Sequence, residues 1–274
     1  MQSTFSQKIT LSDIDKDDRS DINFEIIGKM NSNVLIYKNM RWKHRITVLD
    51  NEMKELENIK LDFLPEKTFN VDFVSYPDYF FMIYQYQKKN ILHCMSVKMD
   101  ALGKKLAEPV EIDTTQISFF ADNKIYTSIS SENKEKIMVF KIHKKNDTYT
   151  LATKLYDKQF SLLSQHRQAL NFDERRDAYD NFSVDNEGNF IFTKETRDGN
   201  RSTSNQLSLI LLSAVTDSFT HVKIPLDKNF VDDVNIKIDN LNGRYIINSF
   251  YYKKNRGNVD GLFTGIWDKI NNKP

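Results

Sequence analysis

Residues 70–113 read NVDFVSYPDYFFMIYQYQKKNILHCMSVKMDALGKKLAEPVEID, and the fold is predicted from the pattern in this stretch. Aromatic and β-branched runs alternate with short polar turns, a pattern typical of strands joined by tight connections. We predict four strands here, at residues 70–76, 79–85, 91–98 and 107–113. Within them polar and apolar side chains alternate, which predicts strands buried on one face. The stretch is therefore interpreted as one four-stranded unit.

A polar turn followed at once by such a strand occurs five times along the chain. One turn residue serves as the anchor of each unit: Asn33, Asp78, Asn123, Gly188 and Gly243. Successive anchors are 45, 45, 65 and 55 residues apart. A second marker, Asp-x-x-x-Lys-x-Leu, begins at Asp50 and again at Asp100. Asp favours turns because its side chain bonds nearby backbone N–H groups.

A four-stranded unit of about 40–50 residues repeated about five times predicts a β-propeller, because one blade cannot bury both faces of its sheet alone. We therefore predict an all-β chain forming a single propeller domain. The predicted blades are residues 20–64, 65–115, 116–158, 180–229 and 230–274. The excess spacing predicts an insertion at 158–180, interpreted as a long loop with one or two helical turns.

The last unit stops at a third strand, Gly261 to Asp268, which leaves two alternatives open. Residues 4–11 (TFSQKITL) supply a fourth strand and close the ring. Alternatively, the propeller is incomplete, and its open edge self-associates.

Three segments resemble those of known propellers. Trp267-Asp268 resembles the terminal dipeptide of a WD40 repeat, and residues 184–189 are similar to the strand turns of NHL and lactonase-like propellers. Residues 254–263 resemble a segment of uncharacterised envelope propellers of Gram-negative bacteria, in which further blades follow. The resemblance implies an incomplete propeller from the bacterial envelope.

Net charge, apolar runs and the N-terminal sequence limit the classes of partner and the cellular compartments to consider. The 39 basic and 38 acidic side chains give a net charge of +1, which argues against a nucleic-acid partner. No apolar run approaches the ~20 residues of a membrane span. The N-terminus has no apolar leader, so the chain is either cytoplasmic or begins after a removed signal peptide, in the periplasm or at the cell surface. The single cysteine, Cys94, excludes an intramolecular disulfide and is interpreted as a buried core residue.

The sequence predicts no metal site and no cofactor. Alternating carboxylates between Asp13 and Asp21 resemble a calcium loop, but Asp18 and Phe24 stand where the EF-hand loop needs Gly and Glu. No two of the five histidines have metal-ligand spacing, and neither a Gly-x-Ser-x-Gly elbow nor a phosphate loop occurs.

We predict a non-enzymatic binding or scaffold module that recognises a protein or a glycan through its loops. The alternative is a propeller hydrolase or lyase with acidic or histidine side chains meeting near the axis. Predicted binding residues are aromatic and cationic and lie in the insertion and one other loop: Trp42, His166, Arg167, Arg175, Arg176 and Tyr179. The simpler interpretations are a solvated connector for the insertion and a blade-edge contact for Trp42.

Overall fold

A computed structural model describes most of the chain: residues 9–13, 22–40, 43–65, 67–117, 124–145, 148–199, 203–216 and 218–269. The chain divides into two compact units, Met1–Lys124 and Ile125–Pro274. Every regular element in the described residues is a β-strand, which confirms the predicted all-β class. Those residues contain no helix long and apolar enough to cross a bilayer.

The first unit contains two four-stranded antiparallel sheets, and in each of them sequence neighbours pair in order. The first sheet comprises β1 (Ile22–Met30), β2 (Asn33–Met40), β3 (Lys43–Leu49) and β4 (Glu55–Lys60). The second comprises β5 (Thr68–Ser75), β6 (Tyr79–Lys88), β7 (Ile91–Asp100) and β8 (Val110–Gln116). The four strands predicted between residues 70 and 113 are therefore confirmed, with ends displaced by up to three residues.

The second unit begins with another sheet of the same topology. Its strands are β9 (Tyr126–Ser130), β10 (Lys136–Lys145), β11 (Thr148–Asp157) and β12 (Leu162–Leu170). These meanders of four antiparallel strands are the unit from which propeller blades are built. The predicted propeller-type fold class is thus confirmed at the level of its repeating unit.

The remaining seven strands form one sheet, so the predicted count of five blades is not confirmed. They are β13 (Asp177–Val184), β14 (Phe190–Arg197), β15 (Ser204–Leu212), β16 (Phe219–Ile224), β17 (Phe230–Asp239), β18 (Arg244–Tyr252) and β19 (Gly261–Asp268). A single residue pair, Ser204 with Val231, joins β15 to β17. Strands β13–β16 thus form a four-stranded group, and β17–β19 form a three-stranded one.

The predicted long loop at residues 158–180 is wrong. This segment contains all of β12, a turn at residues 174–176 and the start of β13. Strand β12 is an edge strand with most of its side chains exposed. Its polar sequence, LLSQHRQAL, therefore lacks the alternation by which half-buried strands are recognised.

The apparent excess spacing arose from the third anchor. The turn that joins the first two strands of the third sheet lies at Ser131–Lys136, not at Asn123, which is outside the described residues. Corresponding turn residues Asn133 and Asn186 are 53 residues apart, and Asn186 and Asn240 are 54 apart. The repeat in the second unit is therefore regular and contains no insertion.

Two smaller predictions concern backbone conformation and the N-terminus. Because only glycine adopts positive φ at little cost, the turn residues Gly188 and Gly243 are predicted to have positive φ, and their φ angles are 96° and 63°. The proposed closing strand lies partly outside the described residues, at 4–8. Its described residues Ile9 and Leu11 belong to no strand and are 80% and 82% exposed.

Each unit has its own hydrophobic core. In the first unit the core includes Leu35, Ile46, Phe80 and Met99. In the second unit, one cluster surrounds the aromatic residues of β14, and another packs Tyr245 and Trp267 against aliphatic residues of β14, β15 and β17. The second cluster is the support of the candidate site.

Candidate ligand-binding site

The site is built on a turn motif that occurs four times in the part of the chain that the structure describes. In each turn, one carboxylate oxygen of an Asp accepts hydrogen bonds of 2.8–3.0 Å from the backbone N–H groups two and four residues later. The four are Asp50, Asp100, Asp157 and Asp185. The residue three positions after each Asp has a positive φ angle: Met53, Gly103, Phe160 and Gly188.

Asp185 differs from the other three because it is completely buried. Its second oxygen, Oδ2, accepts hydrogen bonds from the Tyr245 hydroxyl at 2.8 Å and the Asn189 side-chain amide at 2.8 Å. The Lys269 ammonium lies 3.2 Å from the same oxygen and 2.9 Å from a carboxylate oxygen of Glu187. A buried charge needs such partners because burial without them is very costly.

Two neighbouring hairpin turns hold the Asp185 turn in place. The Asn133 N–H donates to the Asn186 side chain at 3.1 Å, and the Asn186 N–H donates to the Asn240 side chain at 3.0 Å. Asn240 in turn donates to Glu132 at 2.9 Å. The first-to-second-strand turns of three successive strand groups are thereby tied together within the second unit.

Lys269, the cation of this network, directly follows the end of β19. Trp267 pairs with Tyr245 across β18 and β19, and the Lys269 N–H donates to the Gly243 carbonyl at 3.0 Å. This bond continues the chain past the strand end and places the Lys269 side chain over Asp185. The position of Lys269 therefore depends on the β17–β18 turn.

The network has a defined charge state. Burial acts to raise the pKa of Asp185, but hydrogen bonds from Asn189 and Tyr245, together with the Lys269 charge, hold that pKa below its ordinary value. Burial acts to lower the pKa of Lys269, and contacts with Glu187 and Asp185 outweigh it, so the pKa is raised. Burial and the Asp185 charge raise the pKa of the Tyr245 hydroxyl. At neutral pH Asp185 is therefore an ionised carboxylate, Lys269 an ammonium and Tyr245 a neutral phenol.

A cavity of about 340 Å³ opens beside this network. Trp267 and Tyr245 line it together with the polar side chains of Glu187, Asn189 and Lys269. The rest of the lining comes from the end of β15, the following loop and β16: Leu211, Leu212, Ser213, Val215, Thr216, Ser218 and Thr220. The cavity thus combines apolar side chains, one ion pair and several hydroxyl groups.

The loop between β15 and β16 is fixed to the same turn. The Ala214 N–H donates to the Asn189 side chain at 3.1 Å, and the Ser213 hydroxyl accepts from the Val215 and Thr216 N–H groups at 3.2 and 3.1 Å. Asn189 therefore connects the Asp185 turn to the rim of the cavity. Such a preformed pocket with a few convergent polar groups is the usual form of a ligand site.

A second polar group lies elsewhere in the second unit, around Glu195 on β14. Glu195 is 6% exposed, and the Ser204 hydroxyl donates to it at 2.7 Å. Burial raises the pKa of the Glu195 carboxyl, and the negative charges of Asp180 and Asp232 raise it further. Both aspartates precede β-bulges in β13 and β17. Carboxylates from three strands therefore influence one another here.

The residues predicted to bind a partner lie mostly on β12 and the turn after it. Successive positions on β12, His166 and Arg167, point to opposite faces of the strand, His166 half-buried and Arg167 exposed. Arg175 is exposed in the turn. Arg176 donates to the Arg197 carbonyl at 3.0 Å and lies 3.5 Å from an Asp198 oxygen. Trp42 lies outside the described residues.

Tyr179 has a mainly internal role. Its ring stacks on Phe172 at a centroid distance of 5.2 Å and contacts Phe192 edge-on, while its hydroxyl donates to the Asn171 carbonyl. Burial raises its pKa to about 12. The structure therefore does not gather the five predicted residues that it describes into one pocket, and the role of all six in binding stays a prediction.

The remaining residues with reactive side chains have packing contacts. Cys94 is buried, as expected. His44 bonds Tyr37 at 2.6 Å in the core of the first unit, and burial lowers its pKa. His93 stacks on Tyr86 and lies 2.7 Å from Glu111. Throughout the described ranges, no three His, Cys, Asp or Glu side chains are grouped so as to hold a metal ion.

Sequence reasoning reached the site only in part. The sequence indicates a turn at residues 184–189 and a strand-end dipeptide at Trp267-Asp268, but no sequence pattern connects the two segments. The only available signal was that Asp185, like Asp50 and Asp100, is the first residue of a polar turn between two strands. Neither Tyr245 nor Lys269 carries a pattern that indicates a site.

No family model matches this chain, and no curated protein matches it. Among solved structures, the endo-arabinase of Bacteroides thetaiotaomicron VPI-5482 has a TM-score of 0.40 at 10% identity, covering 87% of this chain and 90% of its own. A mutant of the Synechocystis apocarotenoid oxygenase has a TM-score of 0.44 at 9% identity, covering 90% of this chain and 57% of its own. The Nup133 β-propeller domain of Vanderwaltozyma polyspora has a TM-score of 0.32 at 10% identity, covering 92% and 73%. Likenesses this weak carry no argument about the function of this chain.

Proposed function

We propose that the chain is a non-enzymatic binding module that recognises a neutral glycan in the cavity of its second unit. The observation that carries this proposal is the combination of apolar side chains with several hydrogen-bonding groups in one cavity. A sugar ring has apolar C–H faces and a rim of hydroxyl groups. The exposed Val215 and the partly exposed Leu211 supply apolar area for the first, beside the small accessible parts of Trp267 and Tyr245, and the loop hydroxyls supply partners for the second.

The charges favour a neutral ligand over an anionic one. Lys269 is already paired with Asp185 and Glu187, so two carboxylates surround one ammonium. An anion entering the cavity would meet a net negative charge. A sugar hydroxyl can donate to Glu187 and accept from Lys269, and so satisfies both without displacing the ion pair.

The size of the cavity limits the ligand. Its volume of about 340 Å³ lies near the lower end of the range for small-molecule pockets. We therefore expect one or two sugar rings to be enclosed, as a mono- or disaccharide or as the end of a longer glycan. If the resemblance to envelope propellers holds, this recognition takes place in the periplasm or at the cell surface.

The test uses the fact that the chain has only two tryptophans, Trp42 and Trp267. In a Trp42→Phe variant, all tryptophan emission comes from the cavity wall. We expect this emission to change saturably on titration with members of a panel of neutral pentoses, hexoses and their disaccharides. Calorimetry on the unmodified chain should give the same affinity.

Two further variants locate the binding. Ser218→Phe places a bulky ring at the exposed rim of the cavity and should abolish the response while leaving the melting temperature unchanged. Combined replacement of Arg167, Arg175 and Arg176 by Ala should leave the affinity unchanged. If the triple variant loses binding and Ser218→Phe retains it, the surface predicted from sequence is the binding site and the cavity is not.

A hydrolase is the second candidate function, and Glu195 is the observation that favours it. A buried carboxyl with a raised pKa near other carboxylates is the arrangement that supplies a general acid in glycoside hydrolysis. Incubation of the chain with the same glycans should release no reducing ends if it only binds them. Release that Glu195→Gln abolishes, without loss of binding, would overturn the non-enzymatic proposal.

A further inference from the structure

The last three strands, β17–β19, present an unusual outer face. Their inner face carries Tyr245, Ile247 and Trp267, all buried. On an antiparallel sheet with one solvated face, the outward positions are expected to be polar. Here they include Phe250, Leu262 and Ile266, which are 39%, 73% and 48% exposed.

Strand register places these residues in two apolar rows. Phe250 pairs with Leu262 at one end of the face, and Ile246 pairs with Ile266 at the other. Between the rows, Asn248 pairs with Thr264, and the Thr264 hydroxyl donates to the Asn248 side chain at 2.9 Å. The face therefore has an apolar patch at each end and a polar row at its centre.

Strand β17 adds a charged side chain beside each apolar row, and a further charged row, Asp239 with Arg244 and Asp268, lies on the same face beyond the row of Ile246 and Ile266. Asp232 pairs with Phe250, and Lys237 pairs with Ile246, so both lie on the outer face, in line with the two apolar rows. One end of the face thus carries a carboxylate beside an apolar pair. The other end carries an ammonium beside an apolar pair.

This arrangement is complementary to itself. When a second copy is turned over so that its strands run in the opposite direction, the row of Phe250 and Leu262 covers the row of Ile246 and Ile266. The same rotation places Asp232 over Lys237 of the second copy, and Lys237 over Asp232 of the second copy. A surface that matches itself under a two-fold rotation is what an isologous dimer requires.

We propose that the outer face of β17–β19 is a dimerisation surface whose partner is the same face of a second copy of this chain. Three strands of about eight residues give a flat face of roughly 400 Å² per copy, about half of what a standard interface buries on each side. The dimer is therefore weak and reversible. It forms independently of any glycan in the cavity, which lies on the other side of Trp267.

The experiment is sedimentation velocity over concentrations from about 5 to 300 µM, a range that covers weak association with a micromolar Kd. The unmodified chain should show a concentration-dependent shift from monomer to dimer. Leu262→Lys should weaken dimerisation by more than about tenfold, because it places a charge in each apolar contact. Leu163→Lys on β12 replaces another half-exposed leucine in the same unit and should change nothing.

A charge exchange tests the proposed orientation. Asp232→Lys sets like charges against each other twice in the dimer and should weaken it by about threefold to tenfold. Adding Lys237→Asp restores opposite charges and should restore the affinity. A monomer at every concentration, association abolished equally by Leu163→Lys, or no recovery in the double variant would each overturn the proposal; circular dichroism and melting curves verify that each variant is folded.

Discussion

The turns at Asp100 and Asp185 share one local structure and differ in everything beyond it. In both, one carboxylate oxygen accepts two backbone N–H groups, and a glycine with positive φ follows three residues later. Asp100 lies near the surface of the first unit. Asp185 is completely buried, and its second oxygen accepts hydrogen bonds from the Tyr245 phenol and the Asn189 amide and pairs with the Lys269 ammonium.

The difference shows how a structural repeat acquires a site. The turn needs only one oxygen of the carboxylate, so the second is free to take another role. At Asp185, the end of β19 and the β17–β18 turn bring Lys269 and Tyr245 to that oxygen. The local sequence forms the turn, and packing of later strands converts it into the support of a cavity.

The largest expected effect comes from removing the charge at the buried turn. Asp185→Asn keeps an oxygen for the turn but leaves Lys269 beside a neutral amide. Breaking a buried ion pair typically costs 3–5 kcal/mol, and since Lys269 is partly exposed we expect a loss of about 2–3 kcal/mol in urea unfolding. Asp100→Asn, the matched control, should cost less than about 0.5 kcal/mol; equal losses would show that only the turn matters.

A smaller effect is expected from the glycine position of the same turns. A Cβ at Gly188 would lie 2.7 Å from a Leu155 methyl, and the φ angle of 96° is unfavourable for other residues. Gly188→Val should cost about 1–3 kcal/mol. Met53→Val, at the equivalent position of the Asp50 turn, exchanges one strained residue for another and should cost less than about 1 kcal/mol; identical melting shifts in the two variants would refute this assignment.

The smallest effect concerns pH. The pKa of Asp185 is lowered in the folded chain, so its contribution to stability is complete above the unfolded pKa of about 3.9 and is lost as the pH falls through the folded pKa. The pKa values of Lys269 and Tyr245 are raised, so their contributions are lost as the pH rises above about 10. Unfolding free energies measured from pH 3 to 11 should therefore depend less on pH in Asp185→Asn than in the unmodified chain; parallel profiles would contradict the linkage.

Sequence reasoning succeeded where structure follows from short-range pattern. The aromatic alternation at residues 79–85 predicted β6, and Asn186-Glu187-Gly188 predicted a turn with positive φ, because both depend on neighbouring residues. It failed at β12, an edge strand whose side chains are mostly exposed, so that little alternation of polar and apolar residues is left to detect. It also failed at the third anchor, which was assigned to Asn123 instead of the turn at Ser131–Lys136, and that error in spacing produced an insertion that the chain does not contain.

The all-β class, the four-stranded unit, the Asp turns at Asp50 and Asp100 and the turn at Asn186-Glu187-Gly188 were predictable from sequence, since each follows from the period of side chains along a strand or from hydrogen bonds within five residues. Which turn is buried, and which residues meet there, depends on tertiary packing. Lys269 lies 84 residues from Asp185 in the chain, and Tyr245 lies 60 away. No local pattern encodes contacts at that separation, because they depend on how separate strand groups pack against one another.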